Sequence, residues 1–124
     1  MILVVDDEED LLEELVEMLE RSGLDVVGES RPRAALDLLA KHPEIDVVVT
    51  DWRMPGLDGL ALMRAARCDP CARRDRTFLV MTGHEGEAGL VHALEAGAAA
   101  VLHKPFGADA LLAALHGHAH AHET

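Results

Sequence analysis

Three aspartates, a threonine and a lysine stand directly after, or just past, short apolar runs. Asp6 and Asp7 follow Met1 to Val5. Asp51 follows Val47-Val48-Val49-Thr50, Thr82 follows Phe78 to Met81, and Lys104 comes soon after Val101-Leu102. Clustered carboxylates repel and raise one another's pKa. An oxygen-seeking divalent cation relieves that repulsion, and Mg²⁺ typically takes one or two carboxylates together with water and phosphate oxygens. A carboxylate can also attack phosphorus and form an aspartyl phosphate. A cation such as Lys104 would then neutralise the phosphoryl oxygens, and a hydroxyl such as Thr82 could donate a hydrogen bond to one of them. This chemistry exists only if distant parts of the chain meet. Taken alone, each aspartate could simply end its strand.

The elements that would bring them together are legible in the hydrophobic pattern. Met1 to Val5 predicts a buried strand. From Glu8 to Arg21 the period becomes helical, with Leu11, Leu12, Leu15, Val16 and Leu19 as the apolar stripe and glutamates outside it. Leu24 to Gly28 predicts a second strand. Ser30 is the candidate N-cap of a helix from Pro32 to Lys41, and Pro43 blocks its continuation. Ile45 and Val47 to Val49 predict a central strand buried on both faces, stopped at Asp51 by Pro55, Gly56 and Gly59.

The remaining pattern predicts a helix over 58–67 and a polar loop over 68–76. A strand over 77–81 follows, then a helix over 87–95 carrying Leu90, Val91 and Leu94 and closed by Gly97. A strand over 98–102 precedes a last helix from about Ala108 burying Leu111, Leu112 and Leu115. Strand and helix thus alternate five times. That calls for an α/β fold, a five-stranded parallel sheet with helices on both faces. The flavodoxin-like order 2-1-3-4-5, a three-layer sandwich, fits the strand count. No linker, repeat or second domain is visible, so residues 1–124 read as one domain.

In that order strands one and three are neighbours at the topological switch point, where open α/β sheets bind ligands. Asp6 and Asp7 then face Asp51, while strands four and five deliver Thr82 and Lys104 to the same rim.

The whole constellation resembles the receiver domain of response regulators over essentially the full chain. The matching residues are Asp6-Asp7, the run Asp51-Trp52-Arg53-Met54-Pro55-Gly56-Leu57-Asp58-Gly59, Thr82-Gly83, and Lys104-Pro105-Phe106. Any one is weak; all of them in order are specific. The resemblance implies that Asp51 accepts phosphate from a histidine kinase or phosphotransfer protein. It implies that Asp7, Asp51 and the Arg53 carbonyl bind Mg²⁺ directly, that Asp6 assists through water, and that Thr82 and Lys104 bind phosphoryl oxygens. It also implies a cis Lys104-Pro105 bond, which lets the lysine face the rim while the chain turns away. Within the family, Met81-Thr82-Gly83-His84 and Gly97 to Phe106 look most similar to receivers of nitrogen-fixation and nitrogen-control regulators.

One position departs from the pattern. Receivers usually carry Phe or Tyr three residues before the lysine, as a switch that turns inward on phosphorylation. Here that residue is Val101. Phosphoryl chemistry does not need the ring; the usual aromatic readout does. A binding module that no longer signals by phosphate is therefore a second reading. A phosphatase of the haloacid-dehalogenase kind is a third. Those enzymes carry a second aspartate two residues past the nucleophile, where this chain has Arg53, and nothing suggests a cap domain, so that reading is rejected.

Other residues carry less. Cys68 and Cys71 have CxxC spacing but follow a helix, in a loop, and read as plain cysteines. His116, His118, His120 and His122 alternate near the C-terminus. On a continuing helix they would pair at i,i+4, but a solvated tail is the simpler expectation. His42, His92 and His103 read as surface residues. His84 and Arg53 lie two residues past Thr82 and Asp51 and flank the expected path of water. The acids of the first helix are a solvated face on the helix that docks the kinase in receivers.

The net charge of −12 argues against direct contact with nucleic acid or anionic membrane. With no signal peptide or membrane span in the sequence, a cytoplasmic setting is expected. Output would pass to a partner or an attached domain. The face formed by the fourth helix, fifth strand and fifth helix is rich in Ala and Leu, so a dimer there would be apolar and weakly salt-dependent.

Overall fold

The computed structural model describes residues 1–68, 75–83 and 86–123, with side chains outside 86–90 and 118–123. The strands are β1 (Ile2–Val5), β2 (Val26–Glu29), β3 (Val47–Asp51), β4 (Thr77–Thr82) and β5 (Ala100–His103). Between and after them lie the helices α1 (Glu9–Arg21), α2 (Pro32–Lys41), α3 (Gly59–Cys68), α4 (Gly86–Glu95) and α5 (Ala108–Glu123). The sheet runs β2-β1-β3-β4-β5 with every pair parallel, as expected.

The alternation of side chains along a strand divides the core in two. Leu3, Val5, Val48 and Val80 face α2, α3 and Ala93 of α4. Ile2, Val4, Val47, Val49, Leu79 and Met81 face α1 and α5. Strands β1, β3 and β4 are buried at every residue, whereas β2 and β5 are partly open edges. The near-continuous apolar runs in the sequence are therefore the three inner strands.

Strand β2 begins at Val26 rather than Leu24, because Leu24 closes α1. Its N–H reaches the Leu19 carbonyl at 3.1 Å, and the Gly23 N–H reaches Glu20 at 3.0 Å, with Gly23 at φ +84°. This is a Schellman closure. The same device ends α4. Ala98 N–H donates to Ala93 O, Gly97 N–H donates to Leu94 O, and Gly97 has φ +112°. Ala98 is spent there, and β5 starts at Ala100 rather than Ala98.

Details of the helices differ as well. Ser30 is not the N-cap of α2; Arg31 is, with no side-chain cap bond. The helix spans Pro32–Lys41 as expected, but Pro32 holds its first turn and keeps the residue before it extended, so the cap position falls on Arg31, one residue after Ser30. Among the described side chains of α4, Ala93 is the buried one. Val91 is 50% and Leu94 45% exposed, so these two large apolar residues lie on the solvent side. At the C-terminus, α5 continues to Glu123 where a tail was expected.

Arg76, read as part of a polar loop, is buried. Its guanidinium donates to the carbonyls of Ile45, Leu39 and His42 at 2.8, 2.9 and 3.0 Å. A cation is thus set at the C-terminus of α2, where the helix dipole favours it.

Candidate functional site

The site is built at the carboxyl ends of β1, β3, β4 and β5. Val5 pairs with Thr50 and Asp51 with Met81, so the chain leaves β1 and β3 side by side. Strand β3 cannot simply run on. Trp52 N–H donates to the Met81 carbonyl at 2.8 Å, and its own carbonyl accepts from Gly59 at 2.9 Å. Gly59 must be glycine, since a Cβ would lie 2.6 Å from the Asp51 carbonyl oxygen. This close approach starts α3 directly against the end of β3. Asp58 supports the start, accepting the Ala61 N–H at 2.8 Å.

Asp6 is fully buried, Asp51 nearly so, and Asp7 is exposed. Each offers a carboxylate oxygen, and these lie within 4.8 Å of one another. Lys104 Nζ lies 3.2 Å from Asp6 Oδ2 and 3.4 Å from Asp51 Oδ2. The other Asp6 oxygen accepts the Glu8 N–H at 3.0 Å. Lys104 is aimed by its backbone. Its N–H donates to Thr82 O at 2.7 Å, and the bond to Pro105 is cis, as expected.

Burial pushes the Asp51 carboxyl up to about 6. Lys104 pulls against that shift, and the negative charges of Asp6 and Asp7 add to it. For Lys104, burial favours the neutral amine, but Asp6 and Asp51 outweigh it and hold the ammonium above its ordinary value. Three carboxylates against one ammonium leave the site with excess negative charge and all-oxygen donors. That donor set suits a hard divalent cation.

Around this cluster opens a cavity of about 740 Å³ lined by Asp7, Glu8, Asp51, Arg53, Gly83 and Lys104. It continues along α1 over Leu11, Leu15 and Met18, as far as Phe106. A partner approaching the acids would therefore meet an apolar wall beside them.

Of the expected residues, Asp6, Asp7, Asp51 and Lys104 meet, and Arg53 lines the same cavity. Thr82 ends β4 at the rim, but its hydroxyl lies 3.3 Å from His103 Nδ1. His103 was not singled out by sequence. Its signal is positional: it is the last residue of β5, in register with Thr82 and next to Lys104. His92 was likewise read as a plain surface residue. Its ring meets Trp52 edge-on, with centroids 5.8 Å apart. Cys68 is an exposed free thiol. His84 and Cys71 lie outside the described residues. Among the described residues no helix is long and apolar enough to cross a membrane.

Comparison with known proteins gives one consistent answer. A family model described as the response regulator receiver domain matches residues 2–116. The Chemotaxis protein CheY homolog of Campylobacter jejuni is 35% identical over 106 residues, 85% of this chain and 81% of that protein. The Transcriptional regulatory protein FixJ of Azorhizobium caulinodans is 38% identical over 113 residues, 90% of this chain and 51% of that protein. The crystal structure of a response regulator receiver domain protein from Clostridium thermocellum superposes with a TM-score of 0.86 at 31% identity, covering 94% of this chain and 90% of that one. Identities of 35% and 38% do not set one branch apart, so the likeness to nitrogen-control receivers is at most mild. With the sheet order, the acidic rim and the family match in agreement, this chain belongs to the response regulator receiver domains of two-component signalling systems.

Proposed function

We propose that Asp51 is the phosphoacceptor and that residues 1–124 act as one receiver unit. The carrying observation is the placement of the Asp51 carboxylate, 3.4 Å from Lys104 Nζ and among the oxygens of Asp6 and Asp7. The donor is the phosphohistidine of a sensor histidine kinase or phosphotransfer protein. An Asp51 oxygen attacks phosphorus, a P–O bond forms, the P–N bond breaks, and its electron pair returns to the imidazole. The product is an acyl phosphate.

The residues fit Mg²⁺: Asp7, Asp51 and the Arg53 carbonyl as ligands, with Asp6 acting through water. When bound, the cation would offset negative charge on the carboxylates and phosphoryl oxygens. Lys104 supplies the protein's own positive charge to the transferring group, and Thr82 a hydroxyl donor. The domain promotes its own phosphorylation and its later hydrolysis, and is not an enzyme in the usual sense. The setting is cytoplasmic. Output passes to a protein partner or an attached domain, because a net charge of −12 disfavours direct contact with nucleic acid or an anionic membrane.

A small acyl phosphate used as donor tests this reading. Phosphate uptake by the parent should require Mg²⁺ and disappear in Asp51→Asn. Undiminished uptake by that variant would remove Asp51 from the role.

A further inference from the structure

The hydroxyl of Thr82 has one proton to give. Thr82 is 2% exposed, so water is not its ready partner, and buried hydroxyls are nearly always hydrogen-bonded. The neighbour at hand is His103 Nδ1, 3.3 Å away across a register pair. Among the described residues lining the acidic cavity are Gly83 and Lys104, but not Thr82. In this state the hydroxyl is engaged toward strand β5.

The backbone around it is pinned. Lys104 N–H holds the Thr82 carbonyl at 2.7 Å, and β4 and β5 are paired from Leu79 to Thr82. A change of partner by Thr82 is therefore a rotation of its side chain. Strand β5 reads Ala100-Val101-Leu102-His103, so His103 is its only polar side chain. Side chains two apart share a face, which puts Val101 and His103 on the same side. Val101 can neither accept nor donate a hydrogen bond. The imidazole of His103 is solvent-exposed and can respond if its partner leaves.

We infer that His103 is a positioning residue for Thr82: Nδ1 accepts the Thr82 hydroxyl in the resting state and must release it before Thr82 can serve a phosphoryl oxygen on Asp51. This rests on the reading of Asp51 as phosphoacceptor. The exchange replaces one hydrogen bond by another and moves no proton between molecules. Release of the exposed imidazole then carries the state of the site to the outer edge of β5, a readout that Val101 cannot supply.

The test is beryllofluoride affinity at saturating Mg²⁺, measured for the parent, His103→Ala, His103→Gln, Thr82→Ala and the double variant His103→Ala/Thr82→Ala. Freeing the hydroxyl should tighten binding about three- to tenfold in His103→Ala, the scale of one net hydrogen bond. His103→Gln keeps an acceptor and should return toward the parent. In the Thr82→Ala background the gain should vanish, because the two residues act through one contact. Ring ¹⁵N NMR of the parent should show His103 Nδ1 without a proton, with its signal shifting when beryllofluoride binds. Parent-like affinity in His103→Ala, an equal gain without the Thr82 hydroxyl, or a protonated Nδ1 in the resting state would each overturn the inference. A parent that takes no beryllofluoride would overturn the phosphoacceptor reading itself, and His103's role with it.

Discussion

Lys104 and Asp6 stand 98 positions apart in the chain, yet the ammonium lies 3.2 Å from a fully buried carboxylate. The same nitrogen reaches Asp51 at 3.4 Å. Lys104 therefore does two jobs. It offsets the charge of the acids, and it competes with any cation they bind. Lys104→Met should separate these. Without divalent cation the variant should lose about 1–3 kcal/mol of stability in urea unfolding, since a buried carboxylate loses its charged partner. Mg²⁺ should bind several-fold more tightly, while phosphoryl uptake should fall. Weaker Mg²⁺ binding would contradict this view of the lysine.

Asp51 makes the resting domain less stable, and pH exposes this. Its carboxyl titrates at about 6 in the fold, against an ordinary value of 3.8. Between those values the native state keeps a proton that the unfolded chain has released. Stability from this group is thus present at low pH and is lost as pH rises through the window. Asp51→Asn should be more stable than the parent at pH 7 without Mg²⁺, by up to about 3 kcal/mol. The gap should close by about pH 4. Urea titrations of both proteins at the two pH values give the comparison; a gap independent of pH would contradict the assignment.

Arg53 enters the site in two ways that mutation can part. Its carbonyl is the expected ligand and survives any substitution, while its side chain borders the cavity beside Asp51. Arg53→Ala should leave Mg²⁺ affinity nearly unchanged and alter the dephosphorylation rate several-fold. An unchanged rate would return the side chain to a solvated-loop role. His84 is expected to act beside it, and the double variant should show the larger effect.

Trp52, the only tryptophan, adjoins Asp51 and meets His92 of α4 edge-on. Its fluorescence should change with Mg²⁺ and change further with beryllofluoride, the second change requiring the first. His92→Ala should alter the resting emission, because the ring contact is lost. A beryllofluoride response that survives in Asp51→Asn would contradict the site.

The sheet order and the meeting of Asp6, Asp7, Asp51 and Lys104 could be read from sequence because each lies at or just past the carboxyl end of a strand. In a parallel sheet the strand order alone brings such ends together. What could not be read depends on contacts between elements. Arg76 looks like a loop cation until the C-terminus of α2 is placed over it. Hydrophobicity alone does not say which face of α4 turns inward: Ala93 is buried there, while the larger Val91 and Leu94 are exposed. Ser30 has the right chemistry for a cap, but Pro32 fixes the helix start and passes the position to Arg31. His103 has no motif of its own; only the register of β5 against β4 sets it on Thr82.

The central claim is that a phosphoryl group is carried by Asp51 and no other residue. Its most direct test is to load the Mg²⁺-bound parent from an acyl phosphate, trap the product with borohydride, and map the modified residue by peptide mass analysis. Reduction of an aspartyl phosphate converts that side chain to homoserine, so the label survives digestion. The account predicts conversion at residue 51 alone, dependent on both Mg²⁺ and the donor. Conversion at Asp6 or Asp7, or conversion at residue 51 without Mg²⁺, would contradict it.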